Sequence, residues 1–408
     1  MQTKSRMDPL ARNLRLLCVF RALQMAMFPI AIVPLYWRDE LGLNMTEIFV
    51  LQALFGLFVA CFEFPGGFIA DRIGYRSALG WATGFSAMGW IVLGGADGFA
   101  SVLAGEALLA ASLALSSGTD SALLYESCVE IGEEESFGRW FGRSRSIGAA
   151  AEGTAALAAG LLYSIWAPLP FYLQAVMWGI NGLVVLALVE PARHPPSSDH
   201  AWQQARAIFA FAMWRSPQLR ASIVAVTLVG LSTFAPVWMV AVYAENSGIS
   251  PVWIGPIWAA ANYTVALGLA ASSRTAKRLG TFPTLAVSVG LIGLGLAGMA
   301  ASHAIWGVAF YFAVCLGRGL HGPVLNHLQQ RLIPSRDRAS LLSINSLLFR
   351  LAFVGLGPLL GLGIDSFGEH RVLWAVAAAS LPLSAASLAW LWRTGAGRPE
   401  RPGAAAPG

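Results

Sequence analysis

Residues 153–189 read GTAALAAGLLYSIWAPLPFYLQAVMWGINGLVVLALV, 37 positions without one ionisable acid or base of the Asp, Glu, Lys or Arg type. A helix rises ~1.5 Å per residue, so a ~30 Å hydrocarbon layer is crossed by ~20 apolar residues. The run is long enough for two crossings, with a tight reversal at Ala167-Pro168-Leu169-Pro170. Residues 221–244 and 246–273 are also uncharged and long enough to cross. In lipid every backbone polar group has to be satisfied internally, and membrane strands would be half as long and alternating, so these crossings are helices.

Working outward, the same pattern repeats from Leu14 to Trp392. It gives spans at 14–36, 46–70, 78–95, 100–124, 147–166, 169–189, 221–244, 252–271, 283–302, 305–325, 340–364 and 372–392. The composition agrees: 56% hydrophobic and only 12% charged, against about 25% charged in a soluble domain. Of the 27 basic residues, Arg21, Arg318 and Arg350 lie inside spans, and only Arg38 and Arg371 lie in odd-numbered loops. The other 22 lie in the termini and the even-numbered loops, counting Arg15, the second residue of span one, with the N-terminus. That asymmetry puts both termini in the cytoplasm of a multi-pass cell (inner) membrane protein. The pI of about 9.2 comes from the same bias. Because the arginines sit in separate short loops, nucleic acid is not expected as a partner. The stretch after Met1–Arg15 runs to about Tyr36 without a small-residue cleavage site, so it is read as the first span and not a signal peptide.

Residues 191–216 divide the chain into six spans and six. They begin with a polar, proline-rich segment and continue from Ala201 to Trp214 as an amphipathic surface helix, with Phe209, Phe211 and Trp214 available to the interface. The expected organisation is an N-terminal bundle at 1–190, this cytoplasmic linker, a C-terminal bundle at 217–393 and a disordered tail at 394–408. The halves echo each other. Ala70-Asp71-Arg72-Ile73-Gly74 follows span two, and Ala276-Lys277-Arg278-Leu279-Gly280 follows span eight. A parallel duplication of six helices is the simplest account, and transporters are commonly built so.

Gly67-Phe68-Ile69-Ala70-Asp71-Arg72-Ile73-Gly74-Tyr75-Arg76 resembles the G-x-x-x-D-R-x-G-R-R loop of the major facilitator superfamily, with Tyr75 where a basic residue is usual. Glu63-Phe64-Pro65-Gly66-Gly67 and Gly118-Thr119-Asp120-Ser121-Ala122-Leu123-Leu124-Tyr125-Glu126 resemble its bacterial drug-efflux-type branch. The resemblance implies an all-α membrane fold of twelve helices in two pseudo-symmetric bundles, and transport by alternating access. It also implies a latch at Gly67, Asp71, Arg72, Gly74, Arg76 and Glu126 that holds the halves together at the cytoplasmic side. Physically, Gly67 lets a neighbouring helix approach and Gly74 permits the reversal. Asp71 can accept from the N–H groups that open a facing helix, span eleven near Ser340. Arg72 or Arg76 can pair with Glu126.

Ionisable groups at membrane depth are costly and mark pathways or paired interiors. Glu152, in the small-residue run Gly148–Ala156, and Asp120 are the leading proton-coupling candidates, with Glu106 a third. Arg318 and Arg350, near mid-depth, can hold an anionic group. Gln24, Trp258, Asn262 and Tyr263 complete the cavity candidates. Arg21 is expected to snorkel outward or to pair with Glu126. Two departures count against proton-coupled export: Glu106 stands where many such exporters carry arginine, and span five lacks their glycine-proline signature.

Gly293-Leu-Gly295-Leu-Ala-Gly298 matches a dinucleotide fingerprint but lies inside an apolar span with no preceding strand, so its glycines are read as packing residues. Cys18, Cys61, Cys128 and Cys315 have neither metal nor disulfide spacing and are read as small buried hydrophobes. No cofactor, metal or enzymatic site is expected. The expected partners are a small-molecule substrate, protons and the lipid bilayer, with the chain a monomer. The leading functional expectation is proton-coupled efflux of drug-like or amphipathic compounds. The alternatives are a metabolite importer or facilitator of the same fold, and a non-transporting receptor or scaffold.

Overall fold

The computed structural model describes residues 2–192, 209–334 and 338–395. Among them there is no strand. Fourteen α-helices follow in chain order. In the first half these are α1 (Gln2–Met25), α2 (Val33–Asp39), α3 (Met45–Ile73), α4 (Tyr75–Gly94), α5 (Phe99–Ser116), α6 (Thr119–Glu130), α7 (Phe137–Ile165) and α8 (Leu169–Ala187). In the second half they are α9 (Pro217–Asn246), α10 (Ile254–Leu279), α11 (Thr281–Ala301), α12 (Gly307–Arg331), α13 (Arg338–Phe367) and α14 (Glu369–Arg393).

All twelve expected spans fall on helix. Nine segments among the described residues are long and apolar enough to cross a membrane by themselves. Spans one, three and five lie on α1–α2, α4 and α7 and fall outside those nine. Each carries more polar or small residues: Arg21 and a break in the first, a Gly/Ser/Thr-rich stretch in the second, and Glu152 with a basic first third in the other.

The chain divides into two compact units. One holds Met1–Ser197 together with Ala241–Ala260 and Phe353–Phe367; the other holds Ser198–Val240, Ala261–Ala352 and Gly368–Gly408. Thus the stretches around the α9–α10 turn and the C-terminal end of α13 pack with the first six spans.

Lipid offers no hydrophobic drive between helices, so close packing and interhelical hydrogen bonds hold each unit. In the first unit Ser112 donates to the Ala82 carbonyl of α4 (2.7 Å) and meets Ser86 at 2.6 Å. In the second, Ser272 donates to Leu320 O and Ser288 to Gly317 O, both at 2.7 Å. A Cβ on Gly295 would lie 2.7 Å from Phe310 O, and one on Gly298 would overlap the Phe310 ring. The rejected fingerprint is therefore a helix-packing face between α11 and α12. Cys18, Cys128 and Cys315 are buried as expected; Cys61 is exposed.

The amphipathic linker helix falls mostly outside the described residues. Its C-terminal end is a π-helical turn, Phe211–Arg215. Phe209 and Met213 pack on a cluster of Leu219, Ile223, Ile333 and Ile344, while Trp214 is exposed. The tail beyond residue 395 also lies outside the described residues.

Candidate functional site

Two of the expected spans are not continuous helices. Span one stops at Met25 and resumes at Val33. Pro29 explains the stop: it has no N–H, and its ring clashes with the carbonyl four residues earlier, which is that of Met25. The N–H groups of Met27 and Phe28 turn away, to Met25 O (2.7 Å), Ala26 O (3.2 Å) and the Gln174 side chain (3.1 Å). The carbonyls of Leu23 and Gln24 thereby lose their helical donors.

Span four breaks between Ser116 and Thr119. Gly118 sits at φ +82, left-handed backbone that glycine adopts without strain. The break makes a new helix N-terminus, and Asp120 occupies its first turn, where the helix dipole favours an anion. Asp120 Oδ1 accepts from the Ser121 N–H at 2.7 Å.

The two breaks share one ion pair. Arg21 Nη1 lies 3.8 Å from Asp120 Oδ2, and both side chains are about 85% buried (16% and 15% exposed). Arg21 Nη1 also donates to Gln24 Oε1 at 2.7 Å, while its Nε is buried without a partner. Gly148 of α7 makes room for it: a Cβ there would lie 3.0 Å from Arg21 Cγ. The other charges acting on Arg21 are Arg145 and Glu152, both on α7. Arg21 therefore turns inward to Asp120 instead of snorkelling or meeting Glu126.

The sixth span fastens this region. Asn13 exchanges two hydrogen bonds with Val189 (2.8 and 3.0 Å), Asn181 donates to Phe20 O (3.1 Å), and Gln174 accepts from Phe28 N–H. Gln174 and Asn181 are fully buried, and sequence reading missed both because only charges were counted in that run.

Glu106 stands apart from this cluster. It is 6% exposed on α5 and makes no hydrogen bond or ion pair among the described residues. Glu152 is half-buried. In the second unit, Asn262, Tyr263 and Arg318 are exposed, and Arg350 is half-buried with its Nε on Ser346 Oγ (3.2 Å). Trp258, half-buried, belongs to the first unit. A cavity of about 560 Å³ runs along α10 beside Leu267, Ala271, Arg274 and Arg278, and none of the six residues expected to line a cavity borders it.

At the loop after span two, Gly74 closes α3 at φ +97. Glu190 caps the next helix, accepting from the Tyr75 and Arg76 N–H groups at 2.7 Å each. Arg76 donates to Val185 O (3.2 Å) and Leu186 O (2.8 Å), which ties the loop to span six. Arg72 stacks over Phe68 at 4.0 Å. Asp71 is exposed and makes no hydrogen bond among the described residues. Gly67 has open space at its Cβ position; the close approach is made one residue earlier, where a Gly66 Cβ would lie 2.8 Å from Ala114 O. Glu126 is half-buried.

The opposite end carries contacts that sequence reading did not find. Arg38 is ion-paired with Glu245 and donates to Asn246 at 3.3 Å. Asp365 accepts from Met45 N–H (3.0 Å), Thr46 N–H (2.8 Å) and the Thr46 hydroxyl (2.5 Å). Glycines bring backbones together beside these pairs. A Cβ on Gly361 would lie 2.5 Å from Thr46 Cα, and one on Gly160 would lie 2.1 Å from Pro251 O.

The sequence profile described as Major Facilitator Superfamily matches residues 16–355. Among solved structures, the nucleoside transporter NupG superposes with a TM-score of 0.81 at 13% identity, over 93% of this chain and 99% of that one. The peptide transporter POT follows with 0.75 at 19% identity, over 94% and 95%. A POT family transporter in complex with 5-aminolevulinic acid gives 0.72 at 14% identity, over 94% and 96%. No curated protein sequence matches.

Proposed function

Since the chain belongs to the major facilitator superfamily and is a multi-pass membrane transporter of that type, we propose that it exports small drug-like or amphipathic organic compounds in exchange for protons. The observation that carries this reading is the Arg21–Asp120 pair at the two helix breaks. Breaks at depth expose helix ends that recognise charge, which is where transporters of other folds bind solutes and ions. A proton on Asp120 neutralises the charge that attracts Arg21. A cationic substrate group can instead replace Arg21 at the carboxylate. Proton and substrate then compete for one acid, which is the requirement of an exchanger. Glu152 on α7 supplies a second acid beside the same arginine. Glu106 has no such cation and serves packing.

Arg38–Glu245 and Asp365–Thr46 act as an outer gate, and Gly67, Asp71, Arg72, Gly74, Arg76 and Glu126 as an inner latch. The termini lie in the cytoplasm, the protein resides in the inner membrane and it works as a monomer of two six-span bundles. Arg318, Arg350, Asn262, Tyr263 and Trp258 supply the remaining substrate contacts.

A second reading, a metabolite importer or facilitator, is favoured by Glu106, an acid where exporters of this type carry arginine. One experiment separates the two. Cells with and without the protein are grown against a panel of toxic amphipathic compounds. Export predicts resistance, whereas uptake predicts sensitisation or no change.

A further inference from the structure

The ends of α3 and α13 carry the same pattern, G-x-x-x-D-x-x-G. It reads Gly67-Phe68-Ile69-Ala70-Asp71-Arg72-Ile73-Gly74 at the cytoplasmic end of α3. At the outer end of α13 it reads Gly361-Leu362-Gly363-Ile364-Asp365-Ser366-Phe367-Gly368. Both closing glycines take left-handed backbone, φ +97 at Gly74 and φ +85 at Gly368.

The outer copy is engaged. The N-terminus of α3 presents four N–H groups without helical partners. Two are satisfied locally by a capping box: Asn44 N–H donates to Glu47 Oε2, and Glu47 N–H to Asn44 Oδ1, both at 2.9 Å. The other two, on Met45 and Thr46, go to the two carboxylate oxygens of Asp365. Asp365 sits in the last turn of its own helix, where the dipole repels an anion. It gains a favourable dipole only by reaching α3. Gly361, one turn earlier, lets the backbones meet. In the inner copy, Gly67 faces open space and Asp71 is exposed.

We propose that Asp365 is the outer counterpart of Asp71. The carboxylate of this G-x-x-x-D-x-x-G end grips the first turn of α3, and releasing it opens the outer end for turnover. The inference rests on the alternating-access reading above, and it makes Asp365 a residue that positions the helices for turnover without touching substrate.

The test needs neither substrate nor proton gradient. Gln52, buried two turns below the grip on α3, is replaced by Cys in a Cys61→Ser background. The labelling rate with a membrane-impermeant maleimide is then read from the outside of intact cells. Asp365→Asn removes the charge that holds two amides and a hydroxyl, and should raise the rate about fivefold. Asp71→Asn should lower the rate, and the double variant should fall between. Thr46→Val keeps both amides and should raise it about twofold, which preserves the test if Asp365→Asn fails to fold. An unchanged or lower rate in folded Asp365→Asn or, failing that, in Thr46→Val overturns the proposal. Loss of proton coupling elsewhere leaves this readout untouched, so the two ideas fail separately.

Discussion

Arg21 and Asp120 meet, Nη1 to Oδ2 at 3.8 Å, at the point where two membrane-crossing helices are both interrupted. Neither interruption would hold a charge pair alone. The α1 break frees carbonyls near Gln24, and the α6 start offers amides near Asp120, so the pair sits between helix ends of opposite polarity.

The break in span four depends on Gly118. Gly118→Val places a β-branched residue in left-handed backbone, at a cost of roughly 1–2 kcal/mol. The expected result is a lower midpoint of thermal unfolding in detergent, with greater loss of transport than Gly179→Ala, where a Cβ meets nothing within 4 Å. Equal effects would mean that the break is incidental.

The break in span one depends on Gln174. Gln174→Leu removes one of the two acceptors of the Phe28 N–H, leaving only Ala26 O at 3.2 Å, and losing one hydrogen bond costs about 0.5–1.5 kcal/mol. Gln174→Glu keeps an acceptor oxygen at that place. At acidic pH, where the buried carboxyl is uncharged, the leucine variant should therefore unfold at lower temperature than the glutamate variant. The reverse order would contradict the assigned hydrogen bond.

Beside the α9–α10 turn, Arg38 and Glu245 should be coupled. Arg38→Gln and Glu245→Gln each remove the pair, so the double variant should cost no more than the worse single one. The coupling energy in a double-mutant cycle of thermal stability is expected at about 0.5–3 kcal/mol. Additive losses would show that the two residues act independently.

The fold was legible because lipid imposes length and charge rules on sequence. The 37-residue uncharged run, the arginine asymmetry and the Asp71 loop could all be read without coordinates. The site was legible in part. Asp120 was marked as an acid at depth, but its partner was not, since Arg21 lies about a hundred residues away and nothing in the hydropathy of span four marks a break. Hydropathy is blind to backbone angle, so Gly118 passed as one small residue among many. Gln174 and Asn181 escaped for a similar reason: amides do not register in a count of charges. Asp365 drew no notice because its partners lie on α3, 320 residues away. The capping box at Asn44 and Glu47 leaves two amides of this helix end for Asp365 to fill.

Topology gives an independent check. Single cysteines replacing Arg139 and Arg274, both exposed, should react with an impermeant maleimide only from the cytoplasmic side. A cysteine at Arg371 should react only from outside. Labelling of residues 139 and 274 from opposite sides would break the two-bundle arrangement.

The most direct test of the central claim uses everted membrane vesicles holding a proton gradient and a compound identified by the growth screen. Adding the compound should partly collapse the gradient with the parent protein. With Asp120→Asn the collapse should fall at least about tenfold, and binding of a cationic compound should weaken with it. A gradient response equal to that of the parent protein in Asp120→Asn would remove the Arg21–Asp120 pair from the coupling mechanism.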